Sequence, residues 1–349
     1  MLPVDEINVA GHGENEKESI WVLPGFSPLR LTQALVEQVS ADYGAVEQTG
    51  LYLDPLGAAD WVEVSKQKSY QEARNSFSFA EAGAALAHYF LKQNPTEQLD
   101  VFALGCGEAS EEACLVAHLA RLMPSIRFFL IDTSQQLLID GYRHAKQVLS
   151  VYSNVEVRAV LGDLFNVSQW MSVVSPSRAR ARRLVMLLGG TSLTIQNEVL
   201  FARIYHAHVE PNDLLMFDFF KTVAPITSPQ EIAAKEPRLS EKSSMGWDHM
   251  IHKWHRALVR RYCSGVREVR FSYELDVRNS VIPGGYSVNM IAHATDANQK
   301  TRRVLTFHFK RHPPDQMVQS LRREGWDPWT SWSSGEKSQG VMYVFRKRS

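Results

Sequence analysis

The sequence predicts an α/β fold built on a parallel, doubly wound sheet, and three observations predict it. Between residues 98 and 220 short apolar runs alternate with amphipathic segments at helical spacing, the pattern of strands joined by crossover helices. One run ends in a glycine-rich turn, Leu104-Gly105-Cys106-Gly107, that leads at once into a helical segment. The composition, 44% hydrophobic and 22% charged over 349 residues, leaves room for one large core and an accessory region.

Taken in order, Leu29–Val39 carries Leu31, Leu35 and Val39 at four-residue spacing, and Phe79–Leu91 is Ala-rich with Leu86, Phe90 and Leu91 apolar. Both read as helices, and Asn94-Pro95 closes the second. The strands expected next are Asp100–Leu104, Arg127–Ile131, Val155–Val160, Leu184–Leu188 and Leu214–Phe217, with a helix over Glu111–Leu122 between the first two. Pro225, Pro229 and Pro237 then break the rhythm before a helix over Asp248–Tyr262. The remaining strands are Arg267–Val277, Tyr286–Ala294, Val304–Lys310 and Gly340–Arg346, the last two expected as a hairpin that contributes the antiparallel strand, with a helix over Pro314–Glu324. The division that follows is 1–97, an N-terminal helical or cap region; 98–220, a core; 221–295, a cap; and 296–349, strands and a helix that complete the sheet. Residues before 98 and from 221 to 295 are expected to have no sheet position and to fold over the core as a lid, bringing Tyr70, Trp254 and Tyr286 to it.

Several classes are set aside by composition. No apolar run reaches the roughly 18–20 residues of a membrane helix, and Met1–Ser19 is polar without a signal-peptide core. Cys106, Cys114 and Cys263 lack metal-site spacing, so free thiols in a cytoplasmic setting are expected. Net charge is zero, yet residues 1–220 carry 16 Lys/Arg against 26 Asp/Glu and residues 221–349 carry 22 against 12. A basic half invites a nucleic-acid reading. The other reading is that the halves pack together and neutralise each other, and no nucleic-acid-binding motif accompanies the charge.

The chemistry concentrates at the glycine turn. Gly105 and Gly107 allow a ligand to approach backbone that a Cβ would shield, and the following helix N-terminus presents free N–H groups suited to a carboxylate. Asp132 ends the second strand, 25 residues beyond Gly107, where an acid accepts hydrogen bonds from ribose hydroxyls. Gly162-Asp163 follows the third strand, placed for an adenine amino group. His249, His252 and His255 stand at i, i+3 and i+6, and a pair of them binding metal would need a further ligand that the sequence does not identify, so no metal is expected; a lid helix is.

Leu-Gly-Cys-Gly at 104–107, Asp132 and Gly162-Asp163 together resemble a class I S-adenosylmethionine-dependent methyltransferase. A narrower resemblance runs over about residues 65–349: Ile131-Asp132-Thr133-Ser134, Gly162-Asp163, Leu188-Gly189-Gly190-Thr191, Phe217-Asp218-Phe219-Phe220-Lys221 and Phe307-His308-Phe309-Lys310-Arg311 are similar to the histidine-specific family of the ergothioneine pathway, which N-methylates an α-amino group. The resemblance implies a Rossmann-like seven-stranded methyltransferase sheet with an N-terminal helical region and an inserted substrate cap. It implies S-adenosylmethionine held by Arg74, Gly105, Cys106, Gly107, Asp132, Thr133, Gly162, Asp163, Gly189, Gly190 and Thr191, and a small-molecule acceptor met by Tyr70, Asp218 and His308. There are departures. Ala103 and Ala109 replace a common acid and a common glycine, Leu193 and Thr194 replace a Gly-Asn pair, and Thr306 and His308 stand near the family's imidazole-reading glutamate and its serine. An acceptor other than histidine is therefore expected, an amino-acid-like amine. Nucleic-acid methylation, aminocarboxypropyl transfer and a silent binding protein remain as alternatives.

Overall fold

The computed structural model describes residues 5–10, 17–67, 77–93, 98–174, 181–195, 197–222, 246–333 and 340–348. In chain order the elements begin with strands β1 (Asp5–Ala10) and β2 (Lys17–Val22), helix α1 (Pro28–Ser40), strand β3 (Tyr43–Ala45), a 3-10 turn (Gln48–Tyr52) and helices α2 (Pro55–Ser65) and α3 (Phe79–Gln93). Alternation follows through β4 (Gln98–Leu104), α4 (Ser110–Ala120), β5 (Ile126–Asp132), α5 (Gln135–Leu149), β6 (Val155–Leu161), α6 (Val167–Val174), β7 (Ala181–Leu187), α7 (Thr191–Thr194), α8 (Glu198–His206) and β8 (Leu214–Lys221). The chain ends with α9 (Gly246–Tyr262), β9 (Val266–Asp276), β10 (Tyr286–Asp296), β11 (Thr301–His312), α10 (Pro314–Arg323), β12 (Trp326–Ser333) and β13 (Gly340–Lys347).

The expected core is present. Strands β6, β5, β4, β7 and β8 pair in parallel in that spatial order, and β13 closes them antiparallel to β8. With β12 outside β13 this makes a seven-stranded doubly wound sheet. Its strands are apolar because both faces are covered. Leu99, Val101 and Ala103 pack with α3, α4 and α5 on one face, and Phe102, Leu104 and Phe129 pack with Trp170, Phe201 and Tyr205 on the other. Asp100, buried in β4, is matched by a two-pronged pair from Arg127 at 2.7 and 2.6 Å.

Two strand expectations are corrected. The hairpin partner of Gly340–Lys347 is Trp326–Ser333, not Val304–Lys310. β12 hides from a pattern reading because Pro328 interrupts it and its register shifts between Pro328 and Thr330. The regions before 98 and from 221 to 295 also have sheet positions. β2 runs parallel to β6 with β1 beyond it, and β3 pairs with β11. β9, β10 and β11 form an antiparallel unit joined to β8 by a short parallel pairing, Arg311 with Phe220 and His312 with Lys221. Residues 301–312 thus belong with the strands before them, while α10, β12 and β13 complete the core.

The antiparallel unit, here called the cap, is covered on one face by helices. Met290, Ala292, Ala294 and Val304 pack with Leu35 and Val39 of α1 and with Trp254 and Leu258 of α9. Met290 pairs with Phe307 and Ile291 with Leu305, which leaves Thr306 as an extra residue in β11. The bulge reverses the alternation of side chains. Phe307 therefore joins Val304 on the helix-covered face, while Lys310 and His312 reach the core instead.

His255 lies in this cap core, fully buried between Trp254 and Phe307, with neither ring nitrogen hydrogen-bonded. Burial, and secondarily His252, push its pKa down to about 3. A folded-state pKa below the unfolded value near 6.5 means that the unfolded chain binds the extra proton, so stability falls as pH drops from about 6.5 toward 3. Between pH 6.5 and 5 this amounts to about 2 kcal/mol. Urea titrations are expected to show this loss in the native chain and a smaller one in His255→Phe; equal losses in both would remove His255 as the cause.

Candidate functional site

The glycine turn after β4 is held by backbone chemistry. Gly105, Gly107 and Ala109 all take positive φ, at 62°, 50° and 54°. Gly105 N–H donates to the Ile131 carbonyl at 2.8 Å, and a Cβ on Gly105 would lie 2.8 Å from Thr191 Cγ2. Gly107 has open space where its Cβ would be, so its need for glycine is conformational. α5 approaches so closely that a Cβ on Gly141 would stand 2.4 Å from the Gly107 carbonyl oxygen.

Asp132 organises this turn from the end of β5. Its Oδ2 accepts from Gly107 N–H at 3.0 Å and its Oδ1 from Ser134 N–H at 2.8 Å. Burial, at 6% exposure, raises its pKa, and the N–H groups of Ser134, Gly107 and Thr133 oppose that rise. Thr133 is buried beside it. Cys106 is buried too, and its thiol is pushed well above its ordinary value by burial and by the carboxylates of Asp132 and Glu112. That makes it a packing residue rather than a nucleophile.

The other strand ends meet the same edge. Gly162 N–H donates to the Asp132 carbonyl at 2.9 Å, and a Cβ on Gly162 would strike Leu23. Asp163 next to it is exposed, its Oδ1 accepting from Phe165 N–H at 2.9 Å. Gly189 and Gly190 take φ of 80° and 76°, which aims Gly190 N–H at the Asp218 carboxylate, 3.3 Å from Oδ2. The Ser192 hydroxyl donates to the Asp218 carbonyl, and Thr191 Oγ1 donates to the Gly105 carbonyl at 3.1 Å. Two glycine turns and three acids thus converge at the carboxyl ends of the parallel strands, where open α/β sheets bind ligands.

The N-terminal region reaches this edge as well, through residues that spacing alone does not reveal. Ser65, in the last turn of α2, donates to Glu108 Oε2 at 3.1 Å, on the glycine turn itself. The carboxyl of Glu47 is raised by loss of hydration and by the neighbouring Asp163. α2 is fixed in turn to α9, because Asp54 accepts from Arg261 and from the Tyr262 hydroxyl, each at 2.7 Å. His308 stands two residues before Lys310 on β11, directly opposite Asn289 of β10, and α7 packs against this strand. Tyr70 and Arg74 lie outside the described residues.

The aromatic lid is corrected. Trp254 is buried against Tyr52 and Trp61 with ring centroids 5.3 and 5.4 Å away, and Tyr286 is buried with Val288 against Phe309 and Tyr273. Both cement the cap. His252 stacks on Phe271 and meets the Tyr273 hydroxyl at 2.8 Å, and no group of three or more metal-type side chains gathers among the described residues. No described helix is long and apolar enough to cross a membrane.

No protein-family model and no curated protein matches the sequence. Solved structures are similar in chain trace. A S-adenosylmethionine-dependent methyltransferase from Clostridium acetobutylicum matches at 10% identity and a TM-score of 0.42, over 83% of this chain and 99% of that one. Magnesium protoporphyrin IX methyltransferase from Synechocystis, with bound S-adenosylhomocysteine, matches at 11% and 0.43, over 85% and 96%. The 1,6-didemethyltoxoflavin-N1-methyltransferase of Burkholderia thailandensis matches at 9% and 0.41, over 84% and 88%.

Gly105→Ala tests the convergence of the two turns. A left-handed alanine that also crowds Thr191 is expected to cost about 2–3 kcal/mol of stability, read by chemical denaturation. A cost below about 0.5 kcal/mol, the range of an ordinary surface change, would mean that the turns are not held together.

Proposed function

We propose that the chain is a S-adenosylmethionine-dependent methyltransferase that N-methylates a small, amino-acid-like amine. The observation that carries this reading is the sign of the charge around the glycine turn. Asp132 and Glu108 stand at the turn, Asp163 follows the Gly162 that donates to the Asp132 carbonyl, and Glu47 lies near Asp163, so the acids of this edge come from four different segments. A dinucleotide would bring its pyrophosphate among these carboxylates, whereas a donor with a cationic sulfonium and an ammonium group is attracted to them. The fit extends to shape. The positive-φ turn leaves open space at Gly107, and the Asp132 carboxylate has four acceptor sites, enough to take ribose hydroxyls beside its backbone donors. Exposed Asp163 suits an adenine amino group. Cys106, Thr133, Gly162, Gly189, Gly190 and Thr191 would complete the pocket, with Arg74 approaching from the N-terminal side.

When bound, the donor supplies a methyl group already activated for displacement. The protein then has to align the acceptor lone pair with the breaking bond and to exclude water. In this reading Asp218 orients the acceptor, a role supported by its burial at 8% exposure and its hydrogen bond from Gly190 N–H. His308, on the strand that packs against α7, and Tyr70 contact it. An amine attacks only when neutral, so a site that desolvates it lowers its pKa. Histidine fits poorly, because Thr306 spends its hydroxyl on the Met290 carbonyl at 3.3 Å within the bulge and offers no carboxylate to an imidazole. The ion pairs favour a small acceptor over nucleic acid: Asp42 and Asp54 of the acidic half take Lys300 and Arg261 of the basic half, which leaves less free positive charge for phosphates.

Calorimetry with S-adenosylhomocysteine tests the donor site. The native chain is expected to bind it, and Asp132→Ala to weaken binding by about 1.5–3 kcal/mol, the scale of charged hydrogen bonds. Unchanged affinity in a folded variant, or binding of a nicotinamide dinucleotide in its place, would contradict the reading. With labelled donor and a panel of amines, methyl transfer to histidine is expected to be slower than to the best amine found; parity or better would show that Thr306 does not stand at the acceptor.

A further inference from the structure

Glu198, Lys310 and His312 form a buried charged cluster between the cap and the core, and neither the glycine turn nor the cap core needs it. Glu198 opens α8 with its side chain fully buried. Lys310 Nζ lies 3.0 Å from Glu198 Oε1 and donates to the Ile195 carbonyl at 2.7 Å. His312 Nε2 meets the same Oε1 at 3.0 Å. Both partners come from β11, beyond the bulge at Thr306 that turns them toward the core.

A buried ion pair is a poor source of net stability, since taking charges out of water offsets much of their attraction. What such a pair does well is to fix one geometry, because any shift leaves a charge buried without its partner. The geometry fixed here is specific. Ile195 ends the short helix that begins at Thr191, one residue after the Gly189-Gly190 turn. Ser192 in that helix holds the Asp218 carbonyl, and the main-chain carbonyl of His312 accepts from Thr222 N–H at 3.1 Å just past β8. A Cβ on Gly285 would lie 2.9 Å from His312 Nδ1, so glycine there makes room for the imidazole. The cluster therefore ties together the turn after β7, the end of β8 and the end of β11, which carry Gly190, Asp218 and His308 respectively.

We propose that Glu198, Lys310 and His312 are positioning residues that set where the His308 face of β11 stands over the donor-side turn. The inference rests on the reading of that edge as donor and acceptor site. None of the three touches donor or acceptor. Their effect is carried through the strand to His308 and through α7 to Gly190 and Asp218.

The test uses the full chain with Glu198→Gln, which keeps the shape and removes the charge, and S-adenosylhomocysteine as the probe. In histidine-labelled native protein the His308 imidazole resonance is expected to shift on addition of the probe, saturating with the affinity found by calorimetry. In Glu198→Gln the probe is expected still to bind, held by Asp132 and the Gly105–Gly107 turn, while the His308 shift is lost. Backbone amide exchange over residues 189–195 and 301–312 is expected to rise at least tenfold, with β4, β5 and β6 unchanged. A variant that keeps the His308 shift and native exchange in those segments would overturn the proposal, and so would exchange that rises evenly through the core strands, the mark of a general loss of stability. If Glu198→Gln does not fold, His312→Gln, which leaves the Lys310 pair in place, is judged by the same readouts. If the native chain does not bind the probe, the donor reading fails by itself, and local against even exchange still decides whether the cluster fixes β11.

Discussion

The Asp132 carboxylate sits where two strand–helix junctions meet, and it takes a backbone N–H from each. Gly107 donates from the turn after β4 and Ser134 from the turn after β5. A carboxylate so buried would be costly if unpaired, which makes the positive-φ turn and the start of α5 mutually dependent. The turn keeps its shape because the Asp132 carboxyl accepts its N–H groups, and those N–H groups oppose the rise in pKa that burial imposes on Asp132. Gly141 extends the same constraint to α5, which could not lie against the turn with any larger residue there. Thr191 extends it to the fourth strand by donating to the Gly105 carbonyl. The candidate site is thus built mainly from main-chain groups, with side chains chosen so that the main chain can take this form.

The cap is attached to this frame by polar contacts of long reach. Asp54 holds α2 to α9, and Ser65 at the other end of α2 touches Glu108 on the glycine turn. Below the cap sheet, Glu198 gathers Lys310 and His312. One irregularity makes the second attachment possible. Without the extra residue at Thr306, a strand that packs Val304 against the α1 and α9 helices would turn Phe307 away from them and point Lys310 and His312 at them. The bulge lets β11 serve an apolar core with its first half and a charged seam with its second.

The parallel strands were legible in the sequence because burial on two faces leaves an unbroken apolar run, as in Val101-Phe102-Ala103-Leu104 and Phe128-Phe129-Leu130-Ile131. The acids at their ends were legible because parallel strands deliver their C-terminal residues to one edge. β2 and β12 were not legible, since β2 rests on one short run and β12 carries Pro328 among serines and tryptophans. The packing role of Trp254 is not legible in the sequence, because an aromatic helix face looks the same whether it lines a cavity or packs against Tyr52 and Trp61. The clusters around Glu108 and Glu198 left no local signal at all. Their members come from positions 43 and 114 residues apart, and only the tertiary fold brings them together.

A crystal structure of the chain with S-adenosylhomocysteine measures the central claim, that this carboxylate-lined edge is the donor site. The ribose hydroxyls are expected on Asp132, the adenine amino group beside Asp163 and the homocysteine moiety over the Gly105–Gly107 turn, with its sulfur facing Asp218. A ligand bound at the opposite edge of the sheet, or one whose ribose makes no contact with Asp132, would contradict that claim.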